Sequence, residues 1–156
     1  MLLLTGATGY LGRALCAALL ARGVKVRVAG RQAPKGWEHD WGFYDLDSPS
    51  MPSETLFRDV SCVVHCGGLA HRMATWADYE RANVQATSQL ADAAGRMGVP
   101  HLLFISSLNT VPTAAPLVDS DASLYPEPKD AYAASKWQSE IALKAVCQRH
   151  EQALTV

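Results

Sequence analysis

The chain has no surplus of either charge. Fourteen Lys and Arg face fifteen Asp and Glu, for a formal net charge of -1 over 156 residues, and the basic residues are scattered. A nucleic-acid binder needs a basic stripe, so that class is set aside. Long apolar runs are missing too: the stretch Leu15 to Ala21 is far shorter than the roughly 20 residues that span a bilayer. The N-terminus lacks the basic start of a secretion signal. These features predict a soluble cytoplasmic protein whose partners are small molecules or protein. Cysteines are few, and Cys16, Cys62, Cys66 and Cys147 lack the paired short spacing of a zinc site. They read as buried free thiols, and no metal is expected. There is no internal repeat and no low-complexity tract, and the length suits one domain that buries roughly 70% of its unfolded surface.

What the chain does have is punctuation by glycine. Leu2-Leu3-Leu4-Thr5 runs into Gly6-Ala7-Thr8-Gly9-Tyr10-Leu11-Gly12, with a glycine at every third position, and then into a helical pattern. Missing side chains there let backbone N–H groups and a helix N-terminus approach a diphosphate. The alternative is an ordinary tight strand-to-helix connection. Far along the chain, Tyr132 and Lys136 lie four residues apart and so share one helix face, where a phenol and an ammonium can act as an acid-base unit.

Between these motifs the pattern alternates strand and helix. Strands are predicted over 1–4, 24–29, 62–66 and 99–106, with a brief one in 42–46 and a last one starting at 152. Helices are predicted over 11–22, 76–97 and 131–149, and a short helical turn over 55–59. The long central helix rests on the stripe Tyr79, Asn83, Ala86, Leu90, Ala93 and Met97, in which Asn83 alone is polar. Asp130 is placed to cap the last helix, and residues 108–129, with four prolines, read as loop. Such alternation argues for an α/β doubly wound parallel sheet with its ligand at the carboxyl ends of the strands.

These motifs, in this order, resemble the extended short-chain dehydrogenase/reductases, in particular the NAD(P)-dependent epimerase/dehydratase branch that acts on nucleotide sugars. The glycine run matches that family's opening loop, and Asp130-Ala131-Tyr132-Ala133-Ala134-Ser135-Lys136 its catalytic segment. His65-Cys66-Gly67-Gly68 is similar to its strand-end segment, Asn83-Val84-Gln85-Ala86-Thr87 to its helix asparagine, and Phe104-Ile105-Ser106-Ser107 to its serine strand. The resemblance implies a Rossmann fold and a cofactor site drawn from Gly6, Thr8, Gly9, Tyr10, Leu11, Gly12, Arg31, Asp45, Leu46, Cys66, Gly67, Gly68, Ser106, Tyr132 and Lys136. It assigns Ser107, Tyr132, Lys136 and Asn83 to catalysis. Ser107 is preferred over Ser106 because it precedes Tyr132 by the family's interval of about 25 residues, although a Ser-Ser pair after a strand also turns the chain. Asn83 is either a satisfied core amide or the family's ordering asparagine. His65 reads as a hydrogen-bonded core residue, not a ligand.

At the end of the second strand, NAD enzymes carry an acidic residue for the adenosine ribose. Here Gly30 and Arg31 stand there, and a guanidinium suits a 2′-phosphate, so NADP is favoured over NAD unless Arg31 is merely a solvated loop residue. The resemblance further implies a nucleotide-sugar substrate and a homodimer through the helices 76–97 and 131–149. It also implies a C-terminal substrate domain that this chain lacks, so the 156 residues alone are expected to be inactive. Two other readings are a reductase of a non-sugar ketone or alcohol and a non-catalytic NADP sensor. The intact Tyr132–Lys136 pair argues against the sensor.

Overall fold

A computed structural model describes residues 1–48, 50–70, 74–112 and 121–156. Leu2–Thr5 forms β1, which has parallel partners on both sides: β2 (Val26–Gly30) pairs Leu4 with Val28, and β4 (Cys62–His65) pairs Leu4 with Val64. Leu3 and Leu4 point to opposite faces and both are fully buried, which explains a strand with no polar alternation. With β3 (Trp41–Phe43), β5 (His101–Phe104) and β6 (Ala153–Thr155) the sheet has the order β3-β2-β1-β4-β5-β6, every pairing parallel. This is the doubly wound α/β architecture predicted, a Rossmann-like fold whose order reverses beside β1.

One face packs Leu4, Val28 and Val64 against α1 (Tyr10–Ala21) through Cys16, Leu15 and Leu19. The other packs Leu3, Val63, Leu102 and Phe104 against α3 (Ala86–Arg96) and α4 (Ala131–Arg149) through Ala86, Leu90, Ala94 and Leu143. Small alanines let these helices sit close to the sheet and to each other. Among the described residues, no helix is long and apolar enough to cross a membrane.

Several boundaries shift for physical reasons. The predicted strand over 99–106 contracts to His101–Phe104, because the Val99 N–H closes the preceding helix onto the Ala94 carbonyl and Pro100 has no N–H to give. The strand sought in 42–46 is Trp41–Phe43, since Tyr44 leaves the sheet to bury its ring and donate its hydroxyl to the Ala86 carbonyl at 2.5 Å. The predicted helical turn over 55–59 is a 3-10 turn, Glu54–Phe57, capped by Ser53. Helix 76–97 is continuous in path but composite: α2 (Trp76–Tyr79), a π-helical stretch Glu80–Gln85, then α3. Its stripe is buried as expected except Met97, which is 40% exposed beyond the end of α3. All four cysteines are free, yet only Cys16 and Cys147 are fully buried; Cys62 and Cys66 are half-buried. The loop 108–129 holds 3-10 turns at Leu108–Thr110 and Ala122–Leu124, and its residues 113–120 lie outside the described residues.

Candidate functional site

A cleft of about 650 Å³ opens at the carboxyl ends of β1, β2 and β4. Its floor is Thr5 through Gly9. Gly6 has a φ of +71°, and a Cβ there would come within 2.7 Å of the Cys66 backbone, so the first turn is open to glycine alone. Gly12 has a different reason: a Cβ would meet the Gly6 carbonyl oxygen at 2.1 Å, so its absence lets α1 close against the turn. Gly9 begins α1 with no side-chain cap, and no acidic residue occupies the first turn. The result is a twelve-residue helix whose N-terminal N–H groups are left to an outside acceptor, beside the cleft. Gly6, Thr8 and Gly9 line the cleft, whereas Tyr10, Leu11 and Gly12 are not among its lining residues. The Tyr10 side chain is 91% exposed, Leu11 is 47% exposed, and Gly12 is buried.

Cys66, Gly67 and Gly68 form the opposite wall and are held from below. The Gly67 N–H donates to Thr5 Oγ1 at 3.0 Å, Thr5 Oγ1 lies 2.5 Å from His65 Nδ1, and His65 Nε2 lies 2.8 Å from Thr87 Oγ1. His65 is fully buried, and burial, aided by the Lys136 charge, pulls its pKa down to about 3. The ring is therefore a neutral tie between strand and helix, the core residue that its position on a buried strand predicted.

Asn83 continues this framework. Its Oδ1 accepts from the Leu69 N–H at 2.6 Å, and its Nδ2 donates to the Leu69 carbonyl at 3.0 Å and to Ser135 Oγ at 2.9 Å. The π-helical stretch loosens the backbone ladder here, and Ser139 Oγ donates to the Asn83 carbonyl at 3.0 Å. Asn83 thus fixes the wall after β4 to α4 and reaches neither Tyr132 nor Lys136 by a hydrogen bond among the described residues.

At the far end of the cleft, Arg31 follows β2 and pairs with Asp47 at 3.0 Å, both side chains partly exposed. Asp45 Oδ1 accepts from the Asp47 N–H at 3.0 Å, and Asp45, Leu46 and Asp47 complete the wall. The guanidinium stands where a 2′-phosphate reader is expected, but with an anion already beside it.

The other end meets α4. Asp130 caps this helix through the Ala133 N–H at 2.9 Å. Tyr132 packs against Leu69, Tyr79 and Ala82, its ring 6.1 Å from that of Tyr79; Leu69 and Ala82 line the cleft, whereas Asn83, Ser107, Tyr132 and Lys136 are not among its lining residues. Lys136, one turn on, is 5% exposed. Its Nζ donates to the Ile105 carbonyl at 2.6 Å and sits 3.9 Å from the Phe104 ring centroid. Burial draws its pKa down to about 8, with Glu140 and Cys66 acting in the opposite direction.

The two serines separate. Ser107 caps the turn Leu108–Thr110, its Oγ accepting from the Asn109 N–H at 3.2 Å, and it donates to nothing among the described residues. Ser106, expected in the cofactor pocket, is not among the residues lining the cleft: its hydroxyl donates to the Glu140 carboxylate of α4. The two neighbouring hydroxyls therefore have separate partners, Ser106 on α4 and Ser107 in the turn that follows β5. Thr5, Gln32, Tyr44, Asp47, Leu69, Ala70 and Ala82 also line the cleft, though no sequence motif marks them. Thr5 alone carried a signal, as the one hydroxyl at the end of an apolar strand.

A profile of the NAD dependent epimerase/dehydratase family matches residues 2–156. The chain is similar to the hybrid PKS-NRPS synthetase mycA of Thermothelomyces thermophilus, 33% identical over 181 residues that cover 96% of this chain and 4% of that protein. It is also 33% identical over 143 residues to a 4-hydroxy-2-methyl-3-oxo-4-farnesyl-3,4-dihydroquinoline-1-oxide ketoreductase of Stigmatella aurantiaca, covering 87% of this chain and 42% of the relative. Among solved structures it is similar to MoeE5 in complex with UDP-glucose and NAD, with a TM-score of 0.81 and 26% identity over 99% of this chain and 52% of that one. The chain therefore spans about half the length of that structure and less of the two curated relatives. With the matched profile running from the first strand to the last residue over this glycine turn and helix pair, the chain belongs to the NAD dependent epimerase/dehydratase family.

Proposed function

We propose that this chain binds a nicotinamide dinucleotide in the glycine-floored cleft and serves oxidation or reduction at a carbon bearing a hydroxyl or keto group. The observation that carries this reading is the placement of Tyr132 and the buried Lys136 one turn apart on α4, with Tyr132 packed on Leu69 and Ala82 of the cleft wall. The residues present suit the cofactor: Gly6, Thr8, Gly9 and the uncapped start of α1 for its diphosphate, Arg31, Asp45 and Leu46 for its adenosine end, and Cys66, Gly67 and Gly68 for the wall between. When bound, such a cofactor supplies or takes up hydride. Both NADP and NAD are accommodated in this reading, with Arg31 favouring NADP and the NAD complex of MoeE5 favouring NAD.

The chemistry left to the protein is proton handling. A phenol with a reference pKa near 10 is a poor base at neutral pH, and an ammonium one turn away favours its anion. In this reading Tyr132 moves the proton of the substrate hydroxyl, Lys136 supplies the charge, and Ser107 donates its uncommitted O–H to the substrate oxygen. Asn83 positions Leu69 and Ser135 and touches no reacting atom.

For the substrate, the UDP-glucose complex of MoeE5 supports a nucleotide-activated sugar. A second reading, a ketone that is not a sugar, is favoured by the 33% identity to a ketoreductase. The test is turnover by the full-length gene product with each cofactor, given UDP-sugars in one series and cyclic or acyclic ketones in another. Tyr132→Phe is expected to lower kcat by about 100-fold or more. Full turnover by that variant would overturn the assignment.

A further inference from the structure

Among the described residues one buried carboxylate has no part in the chemistry above. Glu140 is 4% exposed, lies one turn beyond Lys136 on α4, and accepts the hydroxyl proton of Ser106 from the end of β5. We propose that Glu140 is a positioning residue for Lys136, the counter-ion that keeps the buried ammonium protonated while its bond from Ser106 holds the carboxyl end of β5 against α4.

The surroundings of Lys136 leave this work to Glu140. The direct partners of Nζ are the Ile105 carbonyl and the Phe104 ring, which orient a cation without neutralising it. From β4 and the wall after it, His65 and Cys66 face the ammonium. His65 is neutral because burial depresses it, and burial also raises the Cys66 thiol, leaving both uncharged near pH 7. Glu140 is the first of the influences that raise the Lys136 pKa against burial. Burial raises the Glu140 carboxyl above its ordinary value, and the Ser106 and Thr110 hydroxyls and, on its own helix, Lys136 and Lys144 act against that rise and favour its anion. Lys144 also pairs with Asp121, and at the far end of α4 His150 pairs with Asp92, so both of these carboxylates are engaged elsewhere. A desolvated cation without a nearby anion gives up its proton, and a lysine that did so would no longer favour the Tyr132 anion.

The contribution to the reaction rests on the reading of Tyr132 and Lys136 above, whereas the charge coupling does not, and the experiment keeps the two apart. The protein is labelled with 13C-lysine and the Cε signal of Lys136, assigned by its loss in Lys136→Met, is titrated in the wild type, Glu140→Gln and Ser106→Ala. The wild-type midpoint is expected at about 8. Glu140→Gln is expected to lower it by about one unit or more, the effect of removing a close opposite charge. Ser106→Ala keeps the charge and is expected to leave it in place, and Glu140→Asp to restore most of the wild-type midpoint. An unchanged midpoint in Glu140→Gln overturns the proposal.

If Glu140→Gln does not fold, the double variant with Lys136→Met decides. Recovery of the fold supports a charge pair, because loss of both charges costs less than loss of one; failure to recover it overturns the pair. In the full-length gene product, the alkaline limb of the kcat profile is expected to move down by the same interval in Glu140→Gln. Should Tyr132→Phe prove harmless, the hydride-transfer reading falls while the titration still judges Glu140.

Discussion

The side-chain amide of Asn83 donates to the hydroxyl of Ser135 at 2.9 Å, joining the π-helical stretch to the helix that carries Tyr132 and Lys136. Ser135 passes the link on, its own hydroxyl donating to the Tyr132 carbonyl at 2.7 Å. One buried amide therefore links the wall of the cleft to the Tyr-Lys helix.

Removing that amide strands its partners. Asn83→Ala leaves the N–H and C=O of Leu69 without their buried partner, at a cost of about 1–3 kcal/mol for each orphaned group. A loss of about 3 kcal/mol is expected in urea unfolding, with the slope of the transition unchanged. A loss too small to resolve would show that the clamp is redundant.

Cofactor choice is expected to hinge on the Arg31–Asp47 pair. Asp47 neutralises the guanidinium that would meet a 2′-phosphate, and both groups are open to solvent, so the pair itself is weak. Asp47→Asn is expected to raise affinity for NADP about tenfold and leave NAD nearly unaltered, as a 1.4 kcal/mol gain would. Arg31→Ala is expected to remove any preference for NADP. Calorimetric titration of the three proteins with both cofactors checks this, and equal affinities throughout would exclude Arg31 from the adenosine site.

Acid stability should carry the mark of His65. Its pKa is about 3 in the folded chain against 6.5 for a free side chain. Between those values the unfolded state binds the extra proton, so stability falls as pH drops below about 6.5, by up to about 1.4 kcal/mol per unit. Asp78 and Asp121, held near 2 chiefly by the Thr75 hydroxyl and the Lys144 ammonium, add their own losses only below about pH 4. Unfolding free energies measured from pH 6.5 to 4.5 are expected to fall less steeply in His65→Gln than in the wild type. Parallel slopes would mean that the ring protonates without unfolding.

Much of this is legible in the sequence itself. Helix α4 occupies the interval that its pattern and the Asp130 cap indicated, because caps and periodicity are local properties of the chain. The glycine turn was legible for the same reason. The π-helical stretch was not: one extra residue per turn barely disturbs a stripe of apolar positions, and only Asn83, polar within that stripe, hinted at an interruption. Nor was the parting of Ser106 from Ser107, because the partner of Ser106 lies 34 residues away on another element. Arg31 could be read as a cation in the right place, but its pairing with Asp47 depends on how the segment after β3 returns to the cleft.

The position of β1 has a consequence for how the chain assembles. Leu2–Thr5 pairs with Val26–Ala29 on one side and with Cys62–His65 on the other, so the strand that precedes the other five in sequence lies third of six across the sheet. Its second flank arrives only some sixty residues later, and β5 and β6 must then add outward in sequence. Biogenesis is therefore obliged to leave one flank of an apolar strand unpaired while those residues are made, and contacts between such distant segments make this a slow-folding topology by nature.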